Sequence, residues 1–141
     1  MPCILEEAPV EKRDVLKNVR VLVLEDESDT RNLPALVLKM HGAEVVLAET
    51  VTEALQLATE QQPHVIVTDI GIPDLNGYAF ITSFRQQSNT PTIALTAFAG
   101  PADRDLAMNS GFNEYLAKPF DPAELVGAIK RLYDSTSNRA A

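Results

Sequence analysis

Five short runs of apolar, mostly β-branched residues recur along the chain from Arg20 onward. They read RVLVLED, EVVLAET, HVIVTDI, TPTIALTA and EYLAKPF. Runs of this length and composition are typical of β-strands. Because they are apolar without strict alternation, we expect strands that are buried on both faces, as in parallel sheets.

Helical patterns fill the intervals between these runs and follow the last one. They cover Thr30–Met40, Thr52–Gln61, Gly77–Gln87, Ala102–Asn109 and Pro122–Tyr133. A regular alternation of strand and helix predicts right-handed βαβ units. The sequence therefore predicts an α/β fold, a doubly wound parallel sheet with helices on both faces.

Local signals mark several helix ends. Thr50 with Glu53, and Asp121 with Glu124, have the spacing of a capping box, and Pro122 suits a first helical position. We expect each pair to begin a helix.

Length and charge narrow the function classes. The chain has 141 residues, which suits one domain, predicted here at 19–134 between an N-terminal tail or linker (1–18) and a C-terminal tail (135–141). The net charge of −8 argues against direct binding of nucleic acid. No apolar run approaches the ~20 residues that span a bilayer, and the N-terminus lacks a signal-peptide pattern, so we expect no membrane contact and a cytoplasmic location.

Polar residues gather where the predicted strands end. Glu25 and Asp26 end the first strand, Asp69 the third and Thr96 the fourth, and Lys118 follows the fifth. In an open α/β sheet the ligand site lies at the carboxyl ends of the strands. We therefore expect these five residues to converge.

Carboxylates that converge repel one another unless a cation binds between them. Mg²⁺ fits, because it prefers carboxylate oxygens and readily accepts a phosphate oxygen as a further ligand. Asp26 and Asp69 are the predicted direct ligands, with Glu25 acting through a water. Lys118 and Thr96 suit the oxygens of a transferring phosphoryl group, which leaves Asp69 as the nucleophile.

Five sequence features together resemble the receiver domain of two-component response regulators, either free-standing or part of a hybrid sensor kinase. They are the acidic pair in VLEDE, the loop TDIGIPDLNGYAF, the Thr of ALTAFA, the KPF after the fifth strand, and Tyr115. The resemblance covers about Arg20 to Tyr133. It implies a flavodoxin-like receiver fold with a five-stranded sheet in the order 2-1-3-4-5.

The resemblance also implies a role for each residue of the site. Asp69 takes a phosphoryl group from a histidine of a sensor kinase or phosphotransfer protein. Glu25, Asp26, Asp69 and the backbone carbonyl of Gly71 hold Mg²⁺. Lys118 pairs with the phosphoryl oxygens, aimed inward by a cis bond to Pro119.

A switch is implied as well. Thr96 moves to bond the new phosphoryl oxygen, and Tyr115 turns into the space that Thr96 leaves. Side chains then repack on the surface of the fourth helix, fifth strand and fifth helix, and a downstream effector recognises this change. Catalysis is limited to the domain's own phosphoryl transfer and self-dephosphorylation.

Other functions fit the sequence less well. A receiver-like interaction module that does not depend on phosphorylation is the main alternative, although the acidic set, Thr96 and Lys118 are all present. A phosphatase with an aspartyl intermediate would place a second acid where this chain has Gly71. A flavin-binding domain would need a Ser/Thr/Gly-rich loop after the first strand, where the sequence reads EDESDTRN.

Gly71 and Phe98 predict a long-lived phosphorylated state. They stand two residues after Asp69 and Thr96, at positions that tune phosphoryl lifetime in the resembled family, and neither side chain can orient an attacking water. We expect slow self-dephosphorylation, measured as loss of phosphoprotein after removal of the phosphodonor. Loss of half the phosphate within about a minute, without a phosphatase, would contradict this prediction.

Overall fold

A computed structural model describes residues 15–25, 33–70, 77–96, 100–117 and 120–140, without the side chains of 33, 69, 70, 77–79 and 136–140. Five strands lie at the five predicted runs. They are β1 (Arg20–Leu24), β2 (Glu44–Ala48), β3 (Val65–Ile70), β4 (Thr92–Thr96) and β5 (Glu114–Ala117).

Within the described residues, five helices alternate with the strands. They are α1 (Leu33–Met40), α2 (Val51–Gln61), α3 (Gly77–Phe84), α4 (Pro101–Ser110) and α5 (Pro122–Ala140). The start of α2 and both ends of α4 differ from prediction by one residue. The larger differences are that α3 stops at Phe84 rather than Gln87 and that α5 continues past Tyr133 to Ala140. In the described part of the chain, no helix has the length and apolar character needed to cross a membrane.

All strands pair in parallel, in the order β2-β1-β3-β4-β5. This confirms the predicted doubly wound sheet and its strand order. The strand β3 lies at the centre of the sheet, so residues at its carboxyl end have neighbouring strands on both sides.

Alternate residues of each strand feed two separate apolar cores. On one face Val21, Val65 and Ile93 pack with residues of α1 and α5, among them Leu38 and Ile129. On the other face Leu22, Ile66 and Ala94 pack with residues of α2, α3 and α4, among them Ala54, Phe80 and Ala107. Because successive strand residues point to opposite faces, these cores fix the direction of every central side chain.

Both predicted caps form, and each differs in detail from the expected capping box. The backbone N–H of Glu53 donates to Thr50 Oγ1 at 3.1 Å, while the Glu53 carboxylate accepts from the N–H of Glu49, one residue before the predicted partner. At α5 the N–H of Ala123 donates to Asp121 Oδ1 at 3.0 Å. Both helices therefore begin where the sequence indicates.

Arg85 ties the amino-terminal ends of β4 and β5 to the end of α3. Among the described residues, its guanidinium donates to uncharged acceptors: the carbonyls of Ser88, Thr90 and Gly111, Thr92 Oγ1 and Asn113 Oδ1, at 2.8–3.3 Å. Burial of the group lowers the pKa of Arg85 from its ordinary value.

The packed part of the chain includes residues before the predicted boundary at residue 19. Residues 15–18 form a turn in which Leu16 is fully buried in the core between the sheet and helices α1 and α5. The N–H of Leu16 donates to the carbonyl of His41, just after α1, at 2.8 Å. Leu16 is thus part of the folded unit.

The burial of Leu16 predicts a large stability loss on truncation. We expect Leu16→Ala to lower the free energy of unfolding by about 2–5 kcal/mol, because it removes a fully buried side chain and leaves a cavity. Chemical denaturation measures this change. The matched control is Leu36→Ala on α1, where the side chain is 51% exposed, and the expected change is within about 0.5 kcal/mol. Equal effects of the two substitutions would show that residues 15–18 are not part of the stable core.

Candidate functional site

The parallel register brings three of the predicted site residues to neighbouring positions at the carboxyl edge of the sheet. Leu24 of β1 pairs with Thr68 of β3, so the next residues along each strand, Glu25 and Asp69, lie side by side. On the other side of β3, Asp69 pairs with Leu95, which precedes Thr96. Neighbouring strands lie about 4.8 Å apart, so three chemically distinct groups share a small region.

Glu25 and Thr96 are buried at this edge. Glu25 is 4% exposed and Thr96 is 1% exposed. The backbone N–H of Glu25 donates to the carbonyl of Ala48 at 3.0 Å, which holds its backbone on the line of β1. A carboxylate buried to this extent favours a nearby positive charge, because the ionised form is poorly solvated there. The position and chemistry of Glu25 therefore fit a site for a hard cation.

The remaining predicted groups lie outside the described part of the structure. Asp69 is described by its backbone alone, and Asp26, Gly71, Lys118 and Pro119 fall outside the described residues. Among the side chains that are described, no group of three or more His, Cys, Asp or Glu residues could hold a metal ion. The full ligand set and the cis peptide bond therefore stay predictions.

Tyr115, the predicted switch residue, lies one strand beyond Thr96, on β5. It is partly buried and packs against the core that β4 forms with α2, α3 and α4. It also borders an open cavity of about 540 Å³, whose rim includes Arg104 of α4 and Glu124 of α5. Burial and the charge of Asp103 raise the pKa of the Tyr115 phenol, and the charge of Arg104 acts in the opposite direction.

Sequence reasoning missed one polar residue at the site, Thr68. It is fully buried, and its Oγ1 has no hydrogen-bond partner in the described structure. Threonine is common in strands, so the run HVIVTDI gives no sign that this hydroxyl is unusual. Only the burial and the register of the folded sheet reveal it.

The two histidines have local roles in the structure. His41 Nδ1 lies 2.8 Å from the carbonyl of Val37, one turn earlier in α1. His64 Nδ1 accepts a hydrogen bond from the N–H of Arg20 at 2.9 Å, and its ring makes a T-shaped contact with the ring of Tyr133. The His64 imidazole is thus held in the tautomer that is protonated on Nε2.

The sequence also matches a known protein family over most of its length. Residues 21–130 match the family described as the response regulator receiver domain. The chain belongs to this family. The match runs from the second residue of β1 to the first part of α5, so the fold and the family agree on the same segment.

One relative of the chain is a transcriptional regulatory protein. The transcriptional regulatory protein PrrA of Mycobacterium tuberculosis is 40% identical over 114 residues, which cover 80% of this chain and 49% of PrrA. The chain therefore spans about half the length of this relative.

Solved receiver structures share the fold closely. The Francisella response regulator 1452 receiver domain has a TM-score of 0.78 and 32% identity, covering 84% of this chain and 99% of that one. The receiver domain of the sensor histidine kinase PA1611 from Pseudomonas aeruginosa PAO1 has a TM-score of 0.74 and 33% identity, covering 82% and 98%. That receiver was solved with a magnesium ion coordinated in its active-site cleft.

The surroundings of Tyr115 predict how its phenol titrates. We expect Asp103→Asn to lower the pKa of Tyr115, because it removes a negative charge that opposes ionisation, and Arg104→Gln to raise it. Near-ultraviolet absorbance follows the phenolate, and Tyr115→Phe identifies its contribution among the three tyrosines. Asp105→Asn is a control on the same helix. A pKa that stays unchanged or rises in Asp103→Asn would contradict the prediction.

Proposed function

We propose that this receiver domain accepts a phosphoryl group on Asp69, in the presence of Mg²⁺, as one step of a histidine-to-aspartate phosphorelay. The main support is the position of Asp69 at the carboxyl end of the central strand, beside the buried Glu25 and one strand from the buried Thr96. Membership of the receiver family supports the same reaction. The phosphodonor would be a histidine kinase or a phosphotransfer protein, in the cytoplasm.

The metal site would be built from acidic side chains and one carbonyl. Asp26, Asp69 and the backbone carbonyl of Gly71 are the proposed direct Mg²⁺ ligands, and Glu25 would hold the ion through a water. Bound Mg²⁺ would neutralise negative charge on the carboxylates and the phosphoryl oxygens. The burial of Glu25 supports a cation here, and the magnesium ion in the PA1611 receiver is a precedent in a related domain.

The proposed transfer is a single exchange of bonds at phosphorus. A carboxylate oxygen of Asp69 forms a P–O bond as the P–N bond of the donor phosphohistidine breaks. The donor imidazole keeps the bonding electron pair and takes up a proton. The ammonium of Lys118 and the hydroxyl of Thr96 would bind the phosphoryl oxygens, where their charge and hydrogen bond stabilise the transition state.

The proposed output is a change on the surface formed by α4, β5 and α5. Thr96 and Tyr115 would link the phosphorylation site to this surface, since they lie on adjacent strands. The cavity beside Tyr115 gives the surface a concave shape, and Arg104 and Glu124 give its rim charges of both signs. A downstream effector would bind there rather than nucleic acid.

The decisive experiment is intact-mass measurement after incubation with acetyl phosphate. We expect a gain of one phosphoryl group that requires Mg²⁺ and is abolished in Asp69→Asn, because the amide lacks a nucleophilic carboxylate oxygen. We also expect Glu25→Gln to raise the Mg²⁺ concentration needed for half-maximal phosphorylation by at least about tenfold, since it removes a charged oxygen from the metal site.

Asp134→Asn is the matched control for Asp69→Asn. Asp134 is an aspartate on α5 that pairs with Lys130, away from the carboxyl edge of the sheet, so its loss should leave phosphorylation intact. No mass gain under any condition would refute the phosphoacceptor proposal and favour the phosphorylation-independent interaction module.

A further inference from the structure

Two large apolar side chains stand together on the outward face of α1. Leu36 is 51% exposed and Met40 is 59% exposed. Residues four apart in a helix are neighbours on one face. Each of these two is also two positions from Leu38, which is fully buried in the core between the sheet and helices α1 and α5, so the pair points away from that core. The described part of the chain therefore leaves much of this apolar pair uncovered.

The other large apolar side chains that are exposed in the described residues are differently arranged. Leu106 and Met108 are two residues apart on α4, so they point to opposite sides of that helix. Leu47 is the one such residue on β2. A single exposed apolar side chain is ordinary on a protein surface, whereas adjacent ones favour contact with another apolar segment.

The N-terminal segment of the chain joins the described unit at the end of the same helix. The N–H of Leu16 donates to the carbonyl of His41 at 2.8 Å, and His41 directly follows Met40. Leu5 stands eleven residues before Leu16 in the sequence. An extended chain of that length spans about 36–40 Å, which exceeds the roughly 12 Å length of an eight-residue helix such as α1. Residues near Leu5 can therefore reach all of α1.

The sequence of this segment complements α1 in both apolar character and charge. Residues 3–7 read CILEE, an apolar run followed at once by two carboxylates. Residues 1–11 contain three acidic side chains and no Lys or Arg. The one charged side chain of α1 is Lys39, which is exposed and adjoins Met40. An apolar run with acids beside it therefore matches an apolar pair with a base beside it.

We propose that Ile4 and Leu5 dock on Leu36 and Met40 of α1 within the same molecule, with the two carboxylates that follow placed beside Lys39. The contact removes apolar surface from water on both sides, and the ion pairs at its edge favour one orientation of the segment. Attachment through a short stretch of chain gives an effective concentration of about millimolar, which favours this contact over one with a second copy. The docking does not depend on the proposed phosphoryl transfer.

The test is paramagnetic broadening of methyl NMR signals by a nitroxide attached to Cys3, the single cysteine of the chain. In protein labelled with ¹³C at the methionine methyl groups, we expect the Met40 signal to lose most of its intensity and the Met108 signal to keep its own. Met108 is the internal control because α4 packs on the other face of the sheet from α1. Met40→Leu and Met108→Leu assign the two signals.

Variants in the segment separate docking from mere attachment near α1. The double variant Ile4→Ser/Leu5→Ser keeps the nitroxide but removes the apolar side chains. We expect it to lower the ratio of docked to free segment at least about fivefold, seen as recovery of the Met40 signal. Ala8→Ser, a small change in the same segment, should leave the signal as in the wild type. Lys39→Gln should lower the ratio about twofold, as loss of an exposed ion pair predicts.

Two results would overturn the proposal. One is equal broadening of Met40 in the wild type and in Ile4→Ser/Leu5→Ser, which would assign the effect to attachment alone. The other comes from a mixture in which the nitroxide is on one copy and the ¹³C label is on a Cys3→Ser copy. Broadening of Met40 in that mixture as strong as in the singly labelled protein would assign the face of α1 to a second copy. An unchanged Met108 position shows in each case that the variant is folded.

Discussion

The parallel register of the five strands is the constraint on which the rest of the structure depends. It is fixed by two apolar cores, since a shift of one residue would move each strand's side chains to the wrong face. With the register fixed, Glu25 must lie beside Asp69, and Thr96 must follow the partner of Asp69 on β4. The chemistry at the carboxyl edge is thus a consequence of how valines, isoleucines and leucines pack below it.

Much of the fold follows from local sequence. The parts that could not be predicted depend on contacts between residues that are far apart along the chain. The strand positions could be predicted because buried parallel strands leave continuous apolar runs, and the Thr50 and Asp121 caps because capping is a local interaction. The place of Leu16 in the core could not, since it depends on packing against α1 and α5 and on a hydrogen bond to His41. Neither could the hydrogen bonds of the Arg85 side chain, whose acceptors at Gly111 and Asn113 lie more than twenty residues further along the chain.

The candidate site shows the same division. Glu25, Asp69 and Thr96 stand out in the sequence because polar residues interrupt apolar runs at strand ends. Thr68 does not stand out, because a threonine within a strand is ordinary until its burial and its neighbours are known. Its complete burial and its place in register beside Ala94 are properties of the folded sheet alone.

The uncharged set of acceptors around Arg85 has a mechanical consequence. None of these partners ionises, so the attachment of β4 and β5 at their amino-terminal ends does not depend on a carboxylate that acid could neutralise. Arg85 therefore holds together the amino-terminal ends of the two strands that carry Thr96 and Tyr115, through hydrogen bonds that acid does not remove.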